Sequence, residues 1–142
     1  MEVSEVRKRV REAMERAKRR TAERRTRNDD ASREYEQFLE RIAVPLFRQI
    51  GNILRAEGYS FTVSTPGGGV RLASDRSGGD YVELRLDTDG PSPQVLIHSS
   101  RGRGRRVIDS ETPIGAGTSI AGLGEEDVLV SVLSELEPFV ER

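Results

Sequence analysis

The sequence predicts an α+β fold: an N-terminal helical arm and a second helix precede a four- to five-stranded antiparallel sheet, and a C-terminal helix packs on one face of it. Apolar residues recur at helical spacing up to residue 57, alternate with polar residues between 59 and 110, and return to helical spacing between 125 and 141. The 142 residues fit one domain of ordinary size with an appendage.

The arm spans residues 1–28 and carries a thin apolar seam. The seam residues follow a 3,4,3,4 spacing, which places them on one side of a helix: Val3, Val6, Val10, Ala13 and Ala17. Glu residues precede Arg residues by one helical turn, and each pair stabilises a solvated helix by about 0.2–0.5 kcal/mol: Glu5 with Arg9, Glu12 with Arg16, and Glu15 with Arg19. Two interpretations stay open: a solvated helix that packs its seam on a neighbour, and an arm that binds nucleic acid or an acidic partner.

A second helix is predicted over residues 30–57. Asn28, Asp29 and Asp30 are cap-forming residue types, so a helix start is expected there. A broad apolar stripe of the kind that covers a sheet follows: Tyr35, Phe38, Leu39, Ile42, Leu46, Phe47, Ile50, Ile53 and Leu54. Pro45 predicts a kink or break between Arg41 and Val44, and Gly58 predicts a helix end with positive φ.

The sheet is predicted over residues 59–110. Phe61 and Val63 alternate with polar residues, and the run 66–69 supplies a tight reversal into a strand at 70–73. A second turn at 75–79 leads to further strands at 81–86, 94–98 and 105–109. The connections are too short for parallel crossovers, which need a dozen or more residues, so the strands form an antiparallel meander.

The C-terminal segment is predicted as a Gly-rich loop over 112–124 and a helix over 125–141. The loop holds two isoleucines, Ile114 and Ile120, which are expected to cover the sheet. Glu125, Glu126 and Asp127 place negative charge in the first helical turn, where the helix dipole favours it. Pro138 is expected to bend or end this helix.

The net charge of −1 conceals a strong segregation of charge. Residues 1–27 hold eleven Lys or Arg against five Glu, a local balance of +6, and residues 107–142 hold eight acids against Arg142, a balance of −7. This asymmetry indicates either an anionic partner for the arm or self-association in which the two ends attract. The absence of Cys excludes disulfides and Cys-ligated metals. With no apolar run of membrane-spanning length and no apolar signal core, the chain is expected to be soluble and cytoplasmic.

The sharpest local motif is the Arg–Gly run 101–106. Its guanidinium groups suit phosphate or carboxylate, and with four arginines of the arm they form the candidate contacts for an anion or a partner: Arg101, Arg103, Arg105, Arg106, Arg19, Arg20, Arg24 and Arg25. The alternative is a solvated hairpin loop whose charges protect a sheet edge.

No residue pattern predicts a catalytic, cofactor or metal site. His98 is the single histidine and lacks a predicted partner, so it is interpreted as a structural or surface residue. The run 115–119 resembles a phosphate-binding loop in composition alone, since it lacks the Lys.

The leading hypothesis is a non-enzymatic protein–protein interaction or assembly module that forms a homo-oligomer through the arm. The alternative is a nucleic-acid-binding protein that contacts phosphates through the basic arm and the 101–106 segment. A small enzyme or ligand-binding domain that uses the open sheet face is a third hypothesis.

Overall fold

The computed structural model describes residues 1–77 and 79–141. Gly78, within the predicted second turn, and Arg142, counted in the acidic segment, lie outside the described residues. Helices α1 (Val3–Phe38) and α2 (Val44–Ala56) flank a π-helical turn (Leu39–Ala43), and α3 (Glu125–Val140) follows the sheet. Five antiparallel strands in the order β1-β2-β3-β4-β5 form the meander: β1 Phe61–Ser64, β2 Val70–Ser74, β3 Tyr81–Asp87, β4 Gln94–Arg103 and β5 Arg106–Pro113. The predicted α+β fold is confirmed.

The predicted helix start at residues 28–30 is wrong. Helix α1 runs without interruption through Asn28, Asp29 and Asp30 to Phe38. Residues of cap type cost only a few tenths of a kcal/mol in a helix interior, and tertiary packing overrides so weak a preference. Here Ala31, directly after them, is buried against the body of the protein. The arm and the second predicted helix therefore begin as one rod.

In place of the kink or break expected between Arg41 and Val44, the structure has a π-helical turn, Leu39–Ala43. The amide of Val44 donates to the carbonyl of Leu39, five residues earlier, in place of the α-helical i−4 partner. Because proline has no N–H and its ring crowds the preceding turn, a widened turn there lets the chain continue into α2 without a break. At the other end of α2, Gly58 has φ +90°, as predicted.

The core lies between one face of the sheet and the helices. Val82 and Leu84 of β3 are fully buried on that face, and their neighbours in the adjacent strands share it. Phe47 of α2 is fully buried against them. The loop isoleucines, Ile114 and Ile120, are also buried, as predicted for residues that cover the sheet.

Strands β4 and β5 extend beyond their predicted ends. The sequence placed the last strands at 94–98 and 105–109, but β4 reaches Arg103 and β5 reaches Pro113. Residues 99–103 pair across β5 and are held from both faces: Ser99 donates to Glu135 of α3 (2.7 Å), and the amide of Gly102 donates to the Asp80 carboxylate (2.7 Å). Helix α3 continues past Pro138 to Val140.

Candidate functional site

The arm is a helix without tertiary cover. None of residues 3–27 is buried, and only Ala13 and Ala17 are half-buried. The large apolar side chains of the arm are therefore in water: Val3 is 74% exposed, Val6 42%, Val10 52% and Met14 54%. Most helical stability in proteins comes from tertiary packing of an apolar face, and the apolar face of the arm has no such packing within one copy. The arm is thus the part of the fold that most lacks a partner.

The seam continues in phase into the buried base of the same helix. From Ala17 the 3,4 spacing passes through Arg20, Arg24 and Arg27 and reaches Ala31, which is buried together with Tyr35 and Phe38. The exposed seam and the buried base therefore occupy the same side of α1, separated by a basic stretch. The body of the protein covers that side at the base alone.

The candidate arginines of the arm, Arg19, Arg20, Arg24 and Arg25, are all exposed. Arg20 and Arg24 lie on the seam side and Arg19 lies away from it, because each residue advances the helix by about 100°. Arg25 lies at the edge of the seam, where it lines a groove with Met14 and Ala17. Arg24 and Arg27 line a cleft of about 630 Å³ against the β3–β4 turn, residues 88–93. Of the predicted helical ion pairs, Glu5 pairs with Arg9 at 3.1 Å.

The 101–106 segment is a tight hairpin, the form named in the alternative interpretation of this run. Arg101 and Arg103 belong to β4, Arg106 begins β5, and Gly104 and Arg105 alone form the turn. Gly104 has φ +63°, the left-handed conformation that two-residue hairpin turns require of glycine.

The hairpin lies beside the C-terminal end of α3. Residues 101–104 line a shallow cleft with Pro138 and Glu141. Cationic side chains are favoured there, since the helix carries partial negative charge at that end. The hairpin arginines can therefore stabilise the C-terminal end of α3 within the same chain.

The two basic regions do not converge. The arm base adjoins the β3–β4 turn, which precedes Gln94, whereas the hairpin follows Arg103 at the other end of the same strand. Ten residues of extended strand separate these ends by about 30 Å. A single bound phosphate group therefore cannot contact both sets of arginines.

The open face of the sheet holds a network that the sequence did not reveal. Arg71 forms an ion pair with Glu83 (3.2 Å between Nη2 and Oε2) and stacks its guanidinium 4.0 Å from the centre of the Tyr81 ring. Tyr81 in turn stacks on His98, with ring centres 5.5 Å apart. The network spans strands β2, β3 and β4.

On β5, two carboxylates face His98. Nε2 of His98 lies 3.3 Å from Asp109 Oδ1, and Nδ1 lies 3.4 Å from Glu111 Oε2 without the geometry of a hydrogen bond. Glu111 also pairs with Arg85. The His98 side chain is 17% exposed, which agrees with the structural interpretation of this residue.

The alternation of residues in β3 predicts that Tyr81, Glu83 and Arg85 lie on the solvent-facing side of the sheet. The register of the strands then pairs Glu83 with His98 and His98 with Glu111, and this pairing does not follow from the alternation. Arg71 and Arg85 each pair with a carboxylate of the network, Glu83 and Glu111. The geometry therefore explains how a charged sheet face is stabilised, and it places no nucleophile against His98.

Across the described residues 1–77 and 79–141, no group of three or more His, Asp or Glu is arranged to hold a metal ion. Within the same residues no helix has the length and apolar character needed to cross a membrane. No protein-family model, curated protein or solved structure matches the chain.

Proposed function

We propose that this chain is a non-enzymatic assembly module that self-associates through its N-terminal arm. The observation that carries the proposal is the exposed seam of the arm: Val3, Val6 and Val10 are each more than 40% exposed on a helix that the body does not cover. Full burial of one such side chain contributes about 1.5–3 kcal/mol. A partner that covers the seam therefore gains enough to order the arm and to bind it.

The charge distribution supports a second copy as that partner. The arm has a local balance of +6 and residues 107–142 have a balance of −7, so two copies present complementary surfaces. Such complementarity accelerates encounter and selects the partner, while the apolar seam supplies the affinity.

The test is the mass of the protein by size exclusion with light scattering, at low and high salt. Val6→Gln with Val10→Gln removes the centre of the seam. Lys8→Gln with Glu12→Gln is the matched control, because these residues lie on the opposite side of the helix and their replacement leaves the net charge unchanged. We expect an oligomer for the wild type and the control, and a monomer for the seam variant. A wild-type protein that is monomeric at every concentration would contradict the proposal.

A second candidate function is nucleic-acid binding by the arm, which the exposure of all eleven arm cations favours. The arm and the hairpin carry no aromatic side chain for base stacking, so binding would depend on phosphate contacts and fall steeply with salt. Fluorescence anisotropy with mixed-sequence oligonucleotides tests it. Replacing Arg19, Arg20, Arg24 and Arg25 by Gln is expected to abolish binding, and no anisotropy change at low salt for the wild type would remove this candidate.

A further inference from the structure

The outward face of α3 carries a second exposed stripe of mixed character. Val130, Leu133 and Val140 are 57%, 46% and 45% exposed, although the opposite face of the same helix is buried in the core. Glu126 and Glu137 are also exposed and complete the stripe, whose spacing is 4,3,4,3. The stripe therefore has three apolar and two acidic residues.

The charge of α3 has one sign. The helix Glu125–Val140 contains five acidic residues and no Lys or Arg. It is followed by the exposed Glu141. The arm is the most basic helical surface of the chain, so α3 and the arm are the two helical surfaces with the strongest electrostatic attraction.

The spacings of the two stripes match when the helices run antiparallel. The arm seam read forwards is 3,4,3,4, and the α3 stripe read backwards from Val140 is also 3,4,3,4. Each stripe spans fifteen residues, so its two ends lie about 21 Å apart along the helix. In this alignment Val3, Val10 and Ala13 face Val140, Leu133 and Val130.

In the same alignment the two glutamates of α3 lie level with small apolar residues of the arm. Glu137 is opposite Val6 and Glu126 is opposite Ala17, with Arg9 and Arg16 on the flank of the seam. The antiparallel arrangement also brings opposite ends of the two helix dipoles together. Apolar contact, charge and dipole therefore favour the same alignment.

We infer that the outward face of α3 is the acceptor surface for the arm of a second copy of this chain. Both stripes are exposed within one copy, so an arm does not cover the α3 of its own chain. The inference rests on the proposed self-association and specifies its second surface. Each copy offers one arm and one acceptor, so two copies can close the exchange reciprocally.

A charge-swap experiment tests this pairing. The acceptor variant is Glu126→Lys with Glu137→Lys, and the arm variant is Arg9→Glu with Arg16→Glu. In each variant alone the two substituted positions carry the same sign of charge as the positions that they meet on the other helix, whereas in a mixed pair of copies these positions carry opposite signs. We expect monomer masses for the separate variants and the wild-type mass for the mixture, measured by light scattering at low salt.

Two further variants make the result specific. Glu36→Lys with Glu57→Lys changes the net charge as the acceptor variant does, at exposed sites outside α3, and is expected to keep the wild-type mass. Val130→Gln with Leu133→Gln removes the apolar part of the acceptor without touching the core and is expected to yield monomers. Circular dichroism confirms that each variant is folded.

The outcomes separate the inference from the proposal beneath it. If the acceptor variant assembles like the wild type while Val6→Gln with Val10→Gln does not, the arm associates but α3 is not its acceptor, and the inference is overturned. If the wild type itself is monomeric, the proposed self-association is wrong, and the inference that rests on it is wrong as well. The pairing of arm and α3 is supported if the wild-type mass is restored in the mixture of the two charge-swap variants and neither variant reaches that mass by itself.

Discussion

The two ends of α1 have the same spacing and opposite surroundings. At the base, Ala31, Tyr35 and Phe38 are buried against the body, with 4–5% of each exposed. At the tip, Val6 and Val10 lie on the same side of the same helix and are about half exposed. Periodicity therefore identifies the apolar side of a helix, but it does not determine whether the same chain buries that side.

The difference follows from what each end can contact. The base has large aromatic residues, a buried hydroxyl that donates to Leu84 O (3.3 Å), and a sheet within reach. The tip has small apolar residues between charges, and it extends beyond the body. A change at the base should therefore affect folding, and a change at the tip should affect assembly.

The largest expected effect separates the body from the arm. Phe47→Ala empties a fully buried site and is expected to lower the free energy of unfolding by about 3–5 kcal/mol. Val6→Ala, at the exposed tip, is expected to change it by less than about 0.5 kcal/mol when measured on the monomer. Urea denaturation followed by circular dichroism measures both. Equal losses would mean that the arm is part of the cooperative core.

A smaller effect compares two alanines on the same side of α1. Ala31→Leu forces a larger side chain into the buried base and is expected to cost about 1–3 kcal/mol. Ala17→Leu lengthens the half-exposed seam, so it should leave monomer stability unchanged and raise the oligomer fraction at a given concentration. Denaturation and light scattering on the same two variants test this contrast. An Ala17→Leu protein with a lower oligomer fraction would contradict the seam as the contact surface.

Much of the fold followed from the sequence because its determinants are local. Alternation in β3 and the short turns predict an antiparallel meander, and Pro45 predicts the irregular turn before it. The continuity of α1 through Asp29 did not follow, since cap-forming residues also occur inside helices when the flanking turns are anchored. The local sequence pattern does not show that tertiary contacts anchor the turns on either side of Asp29.

The candidate surfaces followed less completely. The basic residues of the arm and of the 101–106 run are visible in composition, but their separation by the length of β4 depends on the register of the sheet. The same is true of the His98 network, whose members come from four strands. Contacts between strands depend on pairing that composition does not contain.

The next prediction concerns the hydroxyl at the base of α1. Tyr35→Phe removes the hydrogen bond to Leu84 O and is expected to cost about 0.5–1.5 kcal/mol at neutral pH. Burial of the ring, and then the charge of Glu83, raise the pKa of Tyr35 well above its ordinary range.

The raised pKa of Tyr35 fixes the sign of a pH dependence. In the unfolded chain the phenol ionises near pH 10, whereas in the folded protein it stays protonated, so its contribution to stability is full below about pH 10 and falls above it. Tyr35→Phe lacks this dependence. The stability gap between the two proteins should therefore begin to narrow near pH 10 and continue to narrow above it, as measured by urea denaturation. A gap that stays constant above about pH 10 would mean that Tyr35 ionises alike in both states.

The smallest expected effect decides whether the base and the tip form one rod. Asp29 is exposed in the interior of α1, where Ala is the better helix former, so Asp29→Ala is expected to stabilise the helix by a few tenths of a kcal/mol. If Asp29 capped a separate second helix, the same change would cost about 0.5–2 kcal/mol. Amide hydrogen exchange across residues 25–35 measures the sign. A continuous rod holds the seam at a fixed angle to the body, and this rigidity lets an exposed stripe select one acceptor surface on a second copy.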